Sequence, residues 1–218
     1  MHNIIIGETC LLSHQLRRIG IVQGNKSLFE HMLVNLDGVK KLIEDEFKYI
    51  LSEEELNFMY YMYYPHHSIG YSKWVNKRYT LDQDNIFSWP VFSFFHWDEF
   101  NDNQIETIKR RCKRLQDAFE DDLPVNLFYY YRNSDRYNVD IMIAKMKEFL
   151  LFLKEKYSKT INVFLFVKYN DSIRKVDISN HDDITLICIT SPSSWIGIDD
   201  NWNGHTDDDL FDEVLKLF

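Results

Sequence analysis

Short runs of apolar, largely β-branched or aromatic residues alternate along the chain with longer segments whose apolar residues recur every three or four positions. The short runs predict buried strands at 4–6, 125–131, 161–167 and 184–190. The periodic segments predict helices from about residue 10 to Ile19, then at 36–47, 105–119, 139–153 and 207–217, with a further short helix beginning at Glu53. Strands that are apolar on both faces and alternate with helices are typical of a mostly parallel sheet covered on both sides. We therefore expect an α/β fold with Rossmann-like layers, in a single domain over 1–218.

One segment, 58–97, interrupts this alternation. It is dense in Tyr, Phe and Trp, and Pro65 and Pro90 break it. Proline removes a backbone donor and ends regular structure. We expect an aromatic-rich irregular or β insertion here.

Composition excludes several classes of protein. Aromatic residues make up 16% of the 218 residues, which excludes disorder for most of the chain. Lys+Arg number 25 against 34 Asp+Glu, so the net charge of −9 argues against nucleic acid as the main partner. No apolar run is long enough for a membrane span. The three cysteines are too few and too far apart for a disulfide framework, and no signal-peptide pattern opens the sequence, so we expect a cytoplasmic protein.

Cys10 is the most informative residue for chemistry. It follows the first strand and Gly7, and it stands where the first helix begins, so it lies at the carboxyl end of a strand, where sites of α/β sheets lie. Unpaired N–H groups and the positive end of the helix dipole both favour a thiolate there. The alternative is a small residue that fills space under the turn. Cys112, on an apolar helix face, and Cys188, within a strand, are expected in the core.

A cysteine nucleophile needs a base, and three histidines are candidates. His96 comes first, because aromatic residues precede it and Asp98 follows it closely. His205, before the last helix, is the second choice, and His14 lies four residues after Cys10 on the same helix face. The sequence contains no P-loop, no G-x-G-x-x-G and no zinc-ligand spacing, so we expect no cofactor and no metal.

Several motifs resemble those of a poorly characterised family of bacteria and large DNA viruses, the papain-like cysteine peptidase family. They are Ile6-Gly7-Glu8-Thr9-Cys10, Gln15-Leu16-Arg17-Arg18-Ile19-Gly20 and Phe94-Phe95-His96-Trp97-Asp98-Glu99-Phe100. The resemblance implies Cys10 as nucleophile, His96 as base and, by position, Asp98 as the acid. It also implies a papain-like α+β fold as the alternative to the α/β fold. Two departures stand out: Leu28-Phe29-Glu30-His31 replaces the family's Pro-Phe-Asp-Trp motif, and Trp97 is inserted after His96.

Three functional hypotheses follow. The first is a cysteine-dependent hydrolase or acyltransferase that acts through Cys10 on a peptide, acyl or glycan substrate. The second is a transferase of sugars or sugar phosphates in polysaccharide synthesis, in which Arg17 and Arg132 bind phosphate and Cys10 is merely packed. The third is a non-catalytic module that docks a partner through its aromatic segment. The sequence leaves the substrate and the oligomeric state open.

Overall fold

The main sheet has five strands, numbered here in chain order. The computed structural model describes residues 1–7, 11–24, 26–64, 67–80, 93–94, 101–132, 139–192 and 207–218. The strands lie side by side as β1 (His2–Gly7), β6 (Val125–Arg132), β7 (Ile161–Asn170), β9 (Ile184–Ser191) and β8 (Lys175–His181). The first four are parallel, and β8 pairs antiparallel with β9 at one edge. This mixed, mostly parallel sheet confirms the α/β expectation; the papain-like α+β alternative does not describe it.

Helices cover both faces of the main sheet. Their bounds are α1 (Leu11–Arg18), α2 (Leu36–Glu44), α3 (Asp102–Glu120), α4 (Val139–Tyr157) and α5 (Asp208–Val214). Residues of α2, α3 and α4 share one buried cluster with Ile4 and Ile6, whereas residues of α1 and α5 share the other cluster with Ile5. Side chains alternate between the faces of a strand, so the run Ile4 to Ile6 serves both layers. Among the described residues, no helix is both long and apolar enough to cross a membrane.

The helical periodicities predict the inward faces well. In α3 the buried residues include Ile108, Cys112, Leu115 and Phe119, and in α4 they include Phe149 and Leu153. Asn101 caps α3: its side-chain oxygen accepts from the Gln104 N–H at 3.1 Å, and its own N–H donates to Gln104 Oε1 at 3.0 Å. This reciprocal capping box satisfies two N–H groups of the helix start.

Where it is described, the insertion contributes three of the four strands of a second, antiparallel sheet. Its four strands lie in the order β2 (Met32–Leu33), β5 (Ser93–Phe94), β4 (His67–Asn76) and β3 (Leu56–Tyr64). The helix expected from Glu53 is wrong. The N–H groups of Glu55 and Leu56 both donate to the Ser52 carbonyl in a turn, and Leu56 then opens β3 opposite Asn76. The aromatic run after Leu56 favours a strand, because such side chains pack well on a pleated surface.

Two features near β8 differ from the sequence expectations. The strand β8 itself is not predicted, because its residues are polar and mostly exposed and therefore carry no buried pattern. Cys188 is only half-buried rather than a core residue. It lies on β9 opposite Asp177 of β8, and an edge strand covers it less than a central strand would.

Candidate functional site

The predicted catalytic residues Cys10, His96 and Asp98 lie outside the described residues, and so does His205. Their neighbours in sequence are described. The strand β1 ends at Gly7 and α1 begins at Leu11, so Cys10 directly precedes α1 in the chain. His14 is described and is exposed on α1.

Glu30 anchors one side of α1. It is 2% exposed and belongs to a 3-10 helix, Leu28–His31. Its Oε2 accepts from Ser13 Oγ at 2.8 Å and from Arg17 Nε at 3.1 Å. Its Oε1 accepts from Arg17 Nη2 at 2.7 Å and from the Ser27 N–H at 2.5 Å. Four donors therefore satisfy this carboxylate, as a buried charge requires.

The charge state of Glu30 follows from these contacts. Burial by itself raises the pKa of Glu30, but the hydrogen bonds from Arg17, Ser27 and Ser13 and the charge of Arg17 outweigh burial and lower the pKa. Glu30 is therefore ionised at neutral pH and ties α1 to the segment that follows it. Glu30 is not among the functional residues predicted from the sequence. The signal was available, because Ser27 and Glu30 form the S-x-x-E spacing of a capping box.

Arg17 is committed to protein partners. Besides its two nitrogens on Glu30, its Nη1 donates to the Gly24 carbonyl at 3.1 Å. The transferase hypothesis assigns Arg17 to a phosphate, but these contacts give it an internal carboxylate instead. For Arg132, the second arginine of that hypothesis, the backbone ends β6 and the side chain lies outside the described part.

A second buried polar cluster lies where β7 and β9 end. Lys168 Nζ donates to Ser191 Oγ at 2.6 Å, to the Ser191 carbonyl at 3.0 Å and to the Tyr169 carbonyl at 3.1 Å. Ser191 Oγ donates to Asp207 Oδ2 at 2.7 Å, and Lys168 Nζ lies 4.0 Å from the same oxygen. Lys168, Ser191 and Asp207 are 2%, 0% and 0% exposed. The cluster binds two strand ends to the start of α5.

Burial dominates the electrostatics of this cluster. Burial and the charge of Arg174 lower the pKa of Lys168, and the charge of Asp207 raises it; the net pKa is about 8. Arg174 Nη1 donates to Asp207 Oδ1 at 2.9 Å, so one carboxylate serves two cations. Lys168 is not predicted from the sequence, because a lysine that follows an apolar strand is normally a solvated strand end. No local signal distinguishes the buried case.

The other side of α1 lies against α5. Gln15, which is fully buried, donates through Nε2 to Asp208 Oδ1 at 3.0 Å, and Arg18 Nη2 donates to the Asp208 carbonyl at 2.9 Å. Because Asp207 is bonded to Ser191, the last residue of β9, α5 begins at the carboxyl edge of the sheet. The helix α1 also begins at that edge, because it follows β1.

The described neighbours of three predicted residues are therefore linked to α1, directly or through one intervening residue or strand pair. Leu11 follows Cys10, and Asp207 stands two positions after His205. Phe94, two positions before His96, pairs with Met32, which is two positions from Glu30. These relationships bring together chain segments that are far apart in sequence.

The thiols of the two described cysteines are poor nucleophiles. Burial raises the pKa of Cys112 to about 12. Burial and the charge of Asp177 raise the pKa of Cys188 as well. Within the part of the chain that the structure describes, no three His, Cys, Asp or Glu side chains are grouped to hold a metal ion.

No family model, no curated protein and no solved structure matches the chain. The function is therefore inferred from the described residues and from the chemistry of the sequence that joins them.

Proposed function

We propose that the protein is a cysteine-dependent hydrolase or acyltransferase with Cys10 as its nucleophile. The observation that carries the proposal is that α1 begins directly after Cys10 and is held on both sides, by Glu30 and by Asp208. A firmly held helix start keeps its unpaired N–H groups and the positive end of its dipole in one place. Both stabilise a thiolate relative to a thiol and so lower the thiol pKa.

The chemistry is acyl transfer through a thioester. The Cys10 thiolate attacks the substrate carbonyl carbon, and the carbonyl electron pair moves to the oxygen, where N–H groups at the start of α1 stabilise it. The intermediate collapses to a thioester. The leaving amine or alcohol departs with the proton of a histidine imidazolium. Water or an acceptor then gives a proton to the imidazole, attacks the thioester and releases the thiolate.

His96 is the preferred base, with Asp98 as the acid that orients it. Support comes from the pairing of Phe94 with Met32, which connects the segment before His96 to Glu30 and thus to α1. His205 is the second choice, since Asp208 contacts Gln15 of α1. His14 is the third, as an exposed residue on α1 itself.

The deciding experiment is site-resolved alkylation of the native protein with iodoacetamide, followed by peptide mass spectrometry across pH 6 to 9. Cys10 should react fastest, with an apparent pKa below the free-thiol value of about 8.5. Cys112 and Cys188 are internal controls, because their thiol pKa values are raised. Cys10→Ser should abolish the fast phase, whereas Cys112→Ser should leave it intact.

Two further measurements test the acyl step and the base. Incubation with p-nitrophenyl acetate should leave an acetyl group on Cys10 and release p-nitrophenol in a burst. His96→Ala should slow alkylation at neutral pH, while His205→Ala and His14→Ala should not. If the fast phase depends on His205 or His14 instead, the base is reassigned. Slow alkylation of Cys10 with an ordinary pKa would overturn the proposal and favour the sugar-phosphate transferase or the binding module.

A further inference from the structure

Arginines from two helices converge on one backbone segment. Arg17 Nη1, from α1, donates to the Gly24 carbonyl at 3.1 Å. From α3, Arg114 Nη2 donates to the Lys26 carbonyl at 3.0 Å and Arg111 Nη1 donates to the Ser27 carbonyl at 3.4 Å. Arg110 lies one turn before Arg114, on the same side of α3. We call Arg110, Arg111 and Arg114 the arginine patch.

The arginines of the patch differ from the other described arginines in the carboxylates that pair with them. Arg18, Arg78 and Arg174 each form ion pairs with aspartates, two of them with a pair of aspartates. Arg17, which contacts the same backbone segment but is not part of the patch, pairs with Glu30. Arg110 and Arg114 form no ion pair with any carboxylate that the structure describes. Positive charge is therefore concentrated here, on a chain whose net charge is −9.

The pKa of Arg111 reflects this concentration of positive charge. It is half-buried, and burial lowers its pKa; the charges of Arg114, Arg110 and Arg17 lower it further, and Glu30 opposes them. A half-buried cation among like charges is stabilised by an anion that enters the same space. The guanidinium fork matches phosphate oxygens two at a time, which makes a phosphate the best-fitting anion.

We propose that the arginine patch binds a phosphate-bearing small molecule, of which diphosphate is the simplest form. Arginines one turn apart on a helix have Cβ atoms about 5–6 Å apart, a spacing that lets neighbouring guanidinium groups hold adjacent phosphates. The carbonyls of Lys26 and Ser27 already orient two of the three side chains, which reduces the ordering cost of binding.

The arginine patch is a site beyond the proposed function, because none of its residues takes part in the cysteine chemistry. All of its residues belong to the part of the chain that the structure describes. It is nevertheless joined to the same region of the molecule. Ser27 Oγ donates to the Ile5 carbonyl of β1 at 3.2 Å, and Arg17 of α1 contacts the same backbone segment as the patch. A phosphate-bearing ligand on the patch would therefore lie beside the strand and the helix that flank Cys10 in the chain.

The test is isothermal titration of the full chain with inorganic pyrophosphate in a phosphate-free buffer. Arg110→Gln with Arg114→Gln should weaken binding by at least about tenfold, since two charge-assisted contacts with the phosphates are lost. The matched control is Lys109→Gln with Lys113→Gln, which also removes two positive charges from α3. Those lysines pair with Glu106 and Asp117, so the control should weaken binding by less than about twofold.

Two single variants sharpen the result. Arg111→Lys keeps the charge and removes the fork, so it should weaken binding by at least about threefold. Cys10→Ser should bind pyrophosphate like the parent chain, which separates this site from the proposed catalysis. The inference is overturned by a lack of pyrophosphate binding at millimolar concentration, or by equal weakening in both double variants. It is likewise overturned if a single-stranded oligonucleotide binds and pyrophosphate does not, because the patch is then a nucleic-acid surface.

Discussion

Ser191 Oγ donates a hydrogen bond to Asp207 Oδ2 across 2.7 Å and thereby joins the end of β9 to the start of α5. Both residues are fully buried, and Lys168 contacts the same serine. Ser191 and Asp207, which flank residues 192–206 in the chain, thus meet at one point of the carboxyl edge. This point is next to α1, through the contact of Asp208 with Gln15.

Asp207→Ala should destabilise the fold by about 3–5 kcal/mol, since it leaves two cations near a buried site without their carboxylate. The free energy of unfolding in urea measures the effect. Asp209→Ala is the matched control, because Asp209 also binds Arg174 but is 71% exposed; its loss should cost about 1 kcal/mol or less. Adding Lys168→Met to Asp207→Ala should recover part of the loss. A cost below about 1 kcal/mol for Asp207→Ala would show that the cluster is not a closed network.

The stability of the protein should rise with pH above about 8 through Lys168, because its folded pKa of about 8 lies below the ordinary value of 10.5. Between those two values the unfolded chain holds more protons on this lysine than the folded chain. The contribution therefore grows with a slope of up to about 1.4 kcal/mol per pH unit. Lys168→Met should lack this slope when both proteins are unfolded in urea between pH 8 and 9.5. Parallel profiles would contradict the assignment.

Through Glu30, the stability of the protein should depend on pH in the acidic range. Its pKa is lowered on folding, so its stabilisation is fully present above the ordinary value of 4.5 and is lost as pH falls through the folded pKa. Glu30→Gln should cost about 1–3 kcal/mol at pH 7, and the difference from the parent chain should shrink below pH 4.5. Glu53→Gln, at an exposed position, should have a difference near zero at every pH. A pH-independent cost for Glu30→Gln would mean that its charge does not matter.

Phe149→Ala should cost about 3–5 kcal/mol, the usual effect of emptying an aromatic core position. Phe149 is 3% exposed on the inward face of α4 and belongs to the core cluster with Leu153. Leu151→Ala on the same helix is the control, because Leu151 is 58% exposed. It should change the unfolding free energy by no more than about 0.5 kcal/mol. Equal costs would place the inward face of α4 elsewhere.

Most of the fold prediction rests on the spacing of apolar residues along the chain. The spacing from Ile108 to Phe119 predicts a helix with one apolar face, and α3 has that face buried. The apolar run at 161–167 predicts a strand that is buried on both sides, and β7 pairs with β6 and β9. Such patterns are visible in sequence because the residues that produce them are close neighbours in the chain.

The failures share one physical cause. The polar strand β8 exists because Asp177 and its neighbours pair with β9, so long-range hydrogen bonding overrides a weak local pattern. Glu53 opens a turn instead of a helix because the aromatic residues that follow it pair with β4. Cys188 is half-buried because its neighbouring strand is an edge.

The sequence by itself determined the α/β class, the helix faces and the position of Cys10 immediately before a helix, since these depend on residues a few positions apart. Only the tertiary structure decided that Glu30 lies against Ser13 and Arg17, and that Lys168, Ser191 and Asp207 form one cluster. The physical reason is that a buried charge is tolerated only where distant residues supply its partners. Which residues those are depends on how strands and helices from separate parts of the chain come together.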